Sequence, residues 1–555
     1  MPHAARPAPT QPSRTRALRT VIAALALAVP MTAAAQLGGP GGPGTFPRGG
    51  PGLDAAPGSQ ARLEVVASFD VDGNGILDAD ERVAALAYVR SANVGRRGPA
   101  GPAAGGRLPP GAFGGAPSQA AVPEAGIAVA PQDVASHPDV ALYDTGVLRT
   151  IFIDFGFEGW EEEMAAFYGT DVEIPATVTI DGVTYLDVGV RFRGNSSFSM
   201  VAAGQKRPLR LKLDRVHGDQ DVDGFRTLNL LNGINDPTSI RTALYSTIAQ
   251  DYLPTPRVAF VQVVIDGELW GVYQHQQQFN SDFERDWFGE AGGVRWKVPG
   301  SPNGRGGMAY LGDDPEAYRT LYEIDNRDTP ESWAALIELF RLLDETPVED
   351  LVEVLEPIFD LDGALRFLAL DVALVNADGY WTRASDYYIY LDPDGRFHVF
   401  AHDINEGLGS GGFGRGGFPG GGAGASATLH PLVGIDDPST PLRSRLLAVP
   451  ELRKRYLEVV LDVAERWLDW TTLAPVVKDM TGLIDEVVRA ETRGLYPYAT
   501  FAGAVEGASG GLRAFVEQRR TYLLATVPGL IEAIAEDANV ANGDTTGGGA
   551  RASRP

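Results

Sequence analysis

Residues 376–406 read NADGYWTRASDYYIYLDPDGRFHVFAHDINE, and this stretch is the strongest indication of the fold of the largest part of the chain. Tyr387 to Leu391 and Phe397 to Ala401 are predicted to be strands, because both are rich in aromatic and β-branched residues. Asp392-Pro393-Asp394-Gly395 between them supplies the residues of a tight turn. The stretch therefore predicts a hairpin with polar residues at its open end.

Four oxygen-bearing side chains lie around that open end. Asp378 follows a predicted helix, Asp386 begins the first strand, and Asp403 and Asn405 follow the second. In phosphoryl-transfer sites one carboxylate orients the attacking hydroxyl and another holds magnesium. The four residues predict such a site, and the alternative is a set of ordinary loop acids that cap helices.

The chain changes character on either side of residue 300. The first half is predicted to be mostly strands, with hairpin turns at Asp181-Gly182 and Asp266-Gly267, and the second half mostly helices. This layout predicts an α+β, atypical protein-kinase-like fold with a sheet-rich first lobe and a helical second lobe, although many α+β proteins share it. The predicted strands are 147–155, 176–180, 185–193, 209–213, 258–265 and 270–274, and the predicted helices are 333–343, 364–375, 451–470 and 512–535.

Two segments of the first half offer positive charge for phosphates. A strand that ends near Arg193 runs into a turn of small and hydroxyl residues, whose amides and arginine suit an anion. Residues 206–214 alternate, with leucines on one face and Arg210 and Lys212 on the other, and Lys206 begins the segment. Lys206 or Lys212 is then a candidate for gripping nucleotide phosphates. A strand end with capping serines, and solvated charges on an edge strand, are the alternatives.

Composition limits the classes of partner. The formal charge of −25 opposes nucleic acid and anionic membrane surfaces, which need a positive field. The chain has no cysteine, so disulfides, thiolate metal sites and thiol nucleophiles are excluded. Any metal must be held by oxygen or by the seven histidines.

The N-terminus predicts export. Arginines at 14, 16 and 19 precede the apolar run Val21 to Val29, and Ala33-Ala34-Ala35 offers small residues before Gln36. We expect a signal peptide cleaved after Ala35 and a secreted, periplasmic or cell-surface protein. The apolar run is shorter than the roughly 20 residues of a spanning helix, and no later segment is long and apolar enough to span.

Glycine and proline divide the rest of the chain into segments. The expected divisions are a signal peptide at 1–35, a linker at 36–60, an EF-hand module at 61–92, a second Gly/Pro-rich linker at 93–137, a main domain at 138–535 with a glycine-rich mobile loop at 407–427, and a disordered tail at 536–555.

Residues 70–81, DVDGNGILDADE, match the twelve-residue EF-hand pattern, and we call them the calcium loop. Gly75 allows the sharp turn, and Leu77 anchors the loop to apolar neighbours. A single loop favours a structural role or weak affinity over sharp sensing. The predicted calcium ligands are Asp70, Asp72, Asn74, the Ile76 carbonyl, Asp78 and Glu81.

The motifs of residues 140–530, in this order, resemble the CotH kinase family. The resemblance rests on the RGNSS turn at 193–197 followed by KRPL at 206–209, on LNLLN at 228–232, on GELWGVY at 267–273, and on the paired acids Asp378 and Asp403. It implies an atypical kinase fold that acts on exported proteins with ATP and magnesium or manganese, spore-coat proteins being the best-known substrates.

The resemblance also implies roles and departures. Asp378 corresponds to the catalytic-loop acid and Asp403 to the metal-binding acid. His402 stands where many relatives have tryptophan, Asn405 where they have a second aspartate, and Asp386 where asparagine is usual. Gln277 stands where relatives commonly carry a glutamate, which weakens the expectation of activity if that acid pairs with the nucleotide lysine or binds metal.

Two functions follow from the sequence. The first is an exported kinase that transfers the ATP γ-phosphate to Ser or Thr of secreted or cell-surface proteins, with Asp378 positioning the hydroxyl and Asp403, Asn405 and Asp386 near magnesium. The second is a catalytically inactive, exported calcium-binding protein with a structural or interaction role at the cell surface. The substrate protein and the oligomeric state are not determined by the sequence.

Overall fold

The computed structural model describes residues 63–96, 124–300, 306–409, 426–507 and 510–546. The predicted signal peptide, the first linker, most of the second linker, most of the glycine-rich loop and the end of the tail lie outside these residues.

The first half of the main domain forms a closed barrel. Its strand order is β1-β2-β3-β4-β5-β7-β6, and β6 pairs with β1 in parallel to close it, whereas the other neighbours are antiparallel. The strands are β1 Arg149–Asp154, β2 Ile174–Ile180, β3 Val183–Phe192, β4 Leu209–Lys212, β5 Thr227–Leu231, β6 Val258–Ile265 and β7 Glu268–Gln277.

Both predicted hairpin turns are present. Asp181 and Gly182 between β2 and β3, and Asp266 and Gly267 between β6 and β7, all have positive φ values. Two consecutive residues of this kind form the turn whose twist matches that of the flanking strands, and the Asp-Gly sequence favours it. The turns set the register of the strand pairs next to them, and a β-bulge then shifts it, between Ala176 and Val178 in the first hairpin and between Val263 and Val264 in the second.

A second sheet and most of the helices follow the barrel. The sheet has the order β11-β10-β8-β9, so the predicted hairpin of β10 and β11 continues onto β8. Its strands are β8 Val294–Val298, β9 Glu323–Ile324, β10 Tyr387–Leu391 and β11 Phe397–Ala401. The helices are α1 Val66–Phe69, α2 Ala79–Arg96, α3 Trp160–Ala166, α4 Ser196–Ser199, α5 Arg241–Ala249, α6 Ser281–Phe288, α7 Pro330–Glu345, α8 Leu351–Leu355, α9 Leu361–Ala373, α10 Tyr380–Arg383, α11 Pro441–Ala448, α12 Pro450–Arg466, α13 Trp470–Ala490, α14 Tyr498–Ala504 and α15 Leu512–Thr546.

The buried apolar side chains fall into two clusters. One fills the barrel, and the other joins the second sheet to the helices from α5 onward. The barrel cluster also includes five residues of the N-terminal helical module, namely Val65, Val66, Leu77, Ala85 and Val89. The module that carries the calcium loop is therefore packed on the barrel.

Polar contacts fix the same docking. The Asp171 carboxylate accepts the backbone N–H of Val65 at 2.6 Å, and Arg82 forms a largely buried ion pair with Glu163 at 2.6 Å. Leu63 exchanges backbone hydrogen bonds with residues 169 and 171 of the chain leading to β2. The calcium loop thus has a defined position relative to the barrel.

The predicted α+β class is confirmed, and the first lobe differs from the sheet of a typical kinase because it closes into a barrel. Closure depends on the parallel pairing of β1 with β6, which are far apart in sequence, and hairpin signals do not reveal such pairs. Among the described residues, no helix is long and apolar enough to cross a membrane.

Candidate active site

The hairpin brings Asp386 and Asp403 to one edge of the second sheet. Tyr387 at the start of β10 pairs with Ala401 at the end of β11, so the residues just outside the ladder face each other. The His402 N–H donates to the Asp386 carbonyl at 2.8 Å, and the Asp386 N–H donates to Val298 of β8 at 3.0 Å. The hairpin therefore brings Asp386 next to the loop that carries Asp403, close enough for the two carboxylates to repel each other.

The loop that carries Asp378 is tied to the same edge. The Asn376 amide donates to the Asp403 carbonyl at 3.1 Å and is almost completely buried. Beneath the loop, the buried Asp371 carboxylate of α9 accepts the Trp381 N–H at 3.2 Å. A Cβ at Gly379 would lie 1.8 Å from an oxygen of Asp371, so only glycine allows this approach.

Burial makes ionisation of the paired carboxyls costly. Burial, and then repulsion from Asp403, raise the pKa of Asp386 to about 7. Burial also raises the pKa of Asp403, against the N–H of Asn405 and the charges of Arg193, Lys297 and Arg383. A divalent cation between two such carboxyls would stabilise their ionised forms.

Three cations surround the acids. Arg383 forms a close ion pair with Asp378. Lys297 of β8 lies opposite Tyr388 in the ladder, and Arg193 follows the end of β3. Burial lowers the pKa of Arg193, although Asp403 opposes the shift, and its buried Nη1 has no hydrogen-bond partner among the described residues. An unsatisfied, buried guanidinium nitrogen beside two carboxylates is a position where a bound anion would be expected.

Four of the twelve described non-glycine residues with positive φ values lie at this site. Val375, Ala384, Asp386 and Leu408 have φ values of 53°, 46°, 60° and 58°. A β-branched residue such as Val375 is rare in this region, and such conformations cost roughly 1–3 kcal/mol each. All four flank the loops that carry Asp378, Asp386 and Asp403, which is the distribution expected of a functional site.

A polar row on the outside of the barrel reaches the site. Arg191, Arg210, Asn229 and Gln276 are successive cross-strand partners on β3, β4, β5 and β7. At its end, the Gln276 amide donates to the His402 carbonyl at 3.4 Å. This face of the barrel therefore lies against the loop that contains Asp403.

The histidine in that loop is uncharged. Burial, reinforced by Lys297 and Arg193, lowers the pKa of His402 well below its usual value. Its ring packs edge-on against Tyr388, with 5.0 Å between ring centroids. His402 thus fills space as an aromatic residue would, and adds no charge to the site.

The two lysines predicted to grip phosphates lie away from the paired acids. The Lys206 ammonium is buried and donates to Glu491 at 2.8 and 3.0 Å and to the Val272 carbonyl at 3.0 Å. Lys212 is two residues beyond Arg210 on β4, which is about 7 Å farther along the strand from Arg193. Of the predicted phosphate ligands, the structure brings Arg193 next to Asp403.

Gln277 also lies outside the site. Its side chain accepts the Arg257 N–H at 3.1 Å and donates to Asp286 at 3.1 Å. The acid that pairs with Lys206 is Glu491, just after α13 and far along the chain. The glutamine at 277 therefore does not leave Lys206 without a carboxylate.

Sequence reasoning missed four residues of this region: Asp371, Lys297, Arg383 and Glu491. The alternation of Arg295 and Lys297 with buried residues in β8 is a usable strand signal. Asp371 stands in the otherwise apolar stretch from Phe367 to Ala373 of α9, where a charged residue needs an explanation. The placement of Glu491 depends on the packing of α13 against β7, which has no local signature.

The calcium loop brings part of its predicted ligand set together. One oxygen from each of Asp70, Asp72 and Glu81 lies within 4.8 Å of the others. The Asp70 carboxylate accepts the N–H groups of Asn74 and Gly75 at 3.1 and 2.7 Å. Asp78 and Glu81 bond each other's backbone N–H at the start of α2, at 2.9 and 2.8 Å.

Comparison with known proteins identifies the class. The fold is a barrel lobe and a helical lobe with paired acids where they meet. A family model described as CotH kinase protein matches residues 190–523, well over half of the chain, so the chain belongs to this family. A search of curated proteins found no match.

The family implies ATP and a divalent metal, and the residues present fit both. Asp386 and Asp403 supply adjacent oxygens of the kind that magnesium and manganese prefer, with Asn405 two residues on. Arg193 supplies a buried donor without a partner beside them. The donor set therefore suits a metal-bound phosphate chain.

Proposed function

We propose that the chain is an exported protein kinase that transfers the γ-phosphoryl group of ATP to Ser or Thr hydroxyls of secreted or cell-surface proteins. The observation that carries this proposal is the meeting of Asp386 and Asp403 with the Asp378 loop, opposite the unpartnered Nη1 of Arg193. The charges and donors are those that phosphoryl transfer needs.

Each residue has a defined task in this proposal. Asp403 and Asp386 would hold the metal together with Asn405, and the bound metal would neutralise charge on the phosphates. Arg193 would donate to the phosphate chain, and Lys297 would add positive potential from β8. The bound metal would relieve the repulsion between the two acids and attract the phosphates of the nucleotide. Metal binding and nucleotide binding would therefore strengthen each other.

Asp378 would orient the acceptor hydroxyl and take its proton. Arg383 forms an ion pair with this carboxylate. The Asp371 carboxylate and Asn376 hold the loop from beneath and from the side. A base fixed in this way requires little rearrangement when the hydroxyl arrives.

We further propose that the calcium loop binds calcium through Asp70, Asp72, Asn74, the Ile76 carbonyl, Asp78 and Glu81. The match to the twelve-residue pattern supports this, as does the approach of three carboxylates within 4.8 Å. Titration of the full chain with calcium, wild type against Glu81→Gln, tests it. The expected result is one site that the substitution removes, and equal isotherms would refute it.

One observation favours the alternative of a catalytically silent calcium-binding protein. Lys206, a predicted phosphate-gripping lysine, is buried and donates to Glu491 instead of facing the paired acids. In a silent protein this ion pair would be permanent, and the fold would serve surface assembly.

ADP release and phosphate incorporation from labelled ATP, with magnesium or manganese, separate the two functions. We expect turnover by the wild type and a loss of at least about 100-fold in Asp403→Asn and Asp378→Asn, since each removes a charge used in the transition state. The matched control is Asp394→Asn, an exposed change in the turn at the far end of the hairpin. Equal background turnover in wild type and Asp403→Asn would favour the silent protein.

A further inference from the structure

Three arginines converge on one carboxylate beside the proposed phosphate site. Glu173, next to the first residue of β2, has a side chain that is only 6% exposed. Its oxygens lie 3.6 Å from Arg191, 3.7 Å from Arg210 and 3.4 Å from Arg215. One negative charge shared by three positive charges leaves a net positive cluster on the outer face of the barrel.

The approach of Glu173 to the sheet is a built feature. A Cβ at position 189 of β3 would lie 2.5 Å from its Oε2, so Gly189 provides the space that the carboxylate occupies. Glu173 therefore lies directly over the strand pair that carries Arg191 and Arg210. Its position determines where these two guanidinium groups are held.

One of the three arginines reaches the calcium loop. Arg215 contacts Glu173 through Nε and donates through Nη2 to the carbonyl of Gly75. Gly75 is followed by Ile76, whose carbonyl is a predicted calcium ligand. A change in the loop backbone on calcium binding would therefore move the hydrogen-bond acceptor that holds Arg215.

The other end of the cluster reaches the active site. Arg210 pairs with Arg191 across β3 and β4, and the Arg193 N–H donates to the Pro208 carbonyl at 3.0 Å, so Arg193 lies two residues beyond Arg191 on the same face. Arg193 in turn interacts with Asp403. A series of contacts thus runs from the Gly75 carbonyl through Arg215 and Glu173 to Arg210. Arg210 lies on the same outer face of the barrel as Arg193.

We propose that Glu173 is a positioning residue for the phosphate-binding arginines, and that Arg215 extends its hold to the calcium loop, so that calcium and ATP bind with positive coupling. The proposal rests on the kinase function and on calcium binding by residues 70–81. An ordered loop holds Arg215 on Glu173, and Glu173 holds Arg210 beside Arg193. Calcium binding then already orders part of these long side chains, so ATP binding has a smaller entropy loss to overcome. The affinity for ATP is therefore higher when calcium is bound.

The coupling is reciprocal, and this allows a test from both sides. In the full chain with magnesium, calcium should tighten ATP about fivefold, and ATP should tighten calcium by the same factor, at the lower end of typical couplings. Titration calorimetry measures both affinities. Arg215→Gln should keep both ligands and reduce the coupling to about onefold, whereas Arg226→Gln, which removes a charge paired with Asp282 instead, should retain it.

Two further variants separate the sources of any calcium effect. Glu81→Gln should abolish the calcium dependence of ATP affinity, because calcium would then lack its loop. A calcium effect that persists in this variant would come from competition at Asp403 and would overturn the proposal. Glu173→Gln should raise the Kd for ATP about fivefold and leave kcat within about twofold, as expected of a residue that acts through Arg210.

Amide hydrogen exchange tests the connection without relying on ATP. Calcium should increase protection in residues 209–215 of the wild type and leave this segment unchanged in Arg215→Gln. Equal protection in both proteins would refute the coupling, even if ATP binds. A failure of ATP to bind, with the exchange difference present, would instead refute the kinase function and leave the connection to the loop supported.

Discussion

Replacement of Asp371 by asparagine should remove a large part of the pH dependence of stability. Asp371 lies in α9 with its side chain almost completely buried, and it accepts the Trp381 N–H beneath the loop that carries Asp378. Asparagine keeps an oxygen for that hydrogen bond and has nearly the same shape. The substitution therefore changes the charge of a buried group and little else.

The direction of this pH dependence follows from the pKa of Asp371. Burial, opposed by hydrogen bonds and by the distant charge of Arg443, raises the pKa of Asp371 from 3.8 to about 7. The folded chain then holds its proton more tightly than the unfolded chain, so the stabilisation is complete below about pH 4 and is lost as pH rises toward 7. A shift of about three units corresponds to about 4 kcal/mol at 1.36 kcal/mol per unit.

Between pH 5 and pH 8 the wild type loses the stabilisation that corresponds to about two pKa units. The free energy of unfolding of Asp371→Asn should therefore rise by about 3 kcal/mol relative to that of the wild type over this range. Urea denaturation at both pH values measures this, with the exposed change Asp394→Asn as control. Tyr245 also faces Asp371, and burial raises its pKa well above the range of the experiment. A difference between Asp371→Asn and wild type that stays constant from pH 5 to pH 8 would refute the reasoning.

Three further predictions concern residues outside the paired acids. Lys206→Met should lower the free energy of unfolding by about 3–5 kcal/mol, because it leaves Glu491 buried without its partner, and Lys206→Met with Glu491→Leu should recover most of the loss in urea denaturation. Gln277→Glu should destabilise by about 1–3 kcal/mol because a carboxylate would face Asp286, and it should leave ADP release no faster than in the wild type. Calcium at 100 times its Kd should stabilise the wild type by about 2.7 kcal/mol in thermal denaturation, and Glu81→Gln should show no shift.

The parts of the site that lie close in sequence were predictable. The hairpin of β10 and β11 has the bounds expected from the sequence, and its register places Asp386 opposite His402, the residue before Asp403. Both Asp-Gly turns also lie where the sequence predicts them. In each of these cases a short-range signal determines the geometry, because turn type fixes register and register fixes which side chains meet.

The parts that depend on distant pairing were not predictable from local patterns. β5 and β8 were not predicted as strands, although β5 lies in a motif of the family resemblance. The Lys206 to Glu491 pair and the Arg215 to Gly75 contact both join segments that are far apart in the chain. An alternation of charged and apolar residues indicates a face of a strand, and it does not say what that face will meet.

The position of Lys206 changes how the departure at Gln277 is interpreted. The resemblance placed a missing glutamate at 277 and raised doubt about activity, on the assumption that this acid pairs with the lysine. In the structure the lysine has a carboxylate from Glu491, which also accepts the Val272 N–H at 3.1 Å. Gln277 instead hydrogen-bonds Asp286, on a part of β7 away from Lys206. Because the lysine already has its acid, the glutamine at 277 does not leave Lys206 unpaired, and its bonds to Arg257 and Asp286 keep it apart from the paired acids.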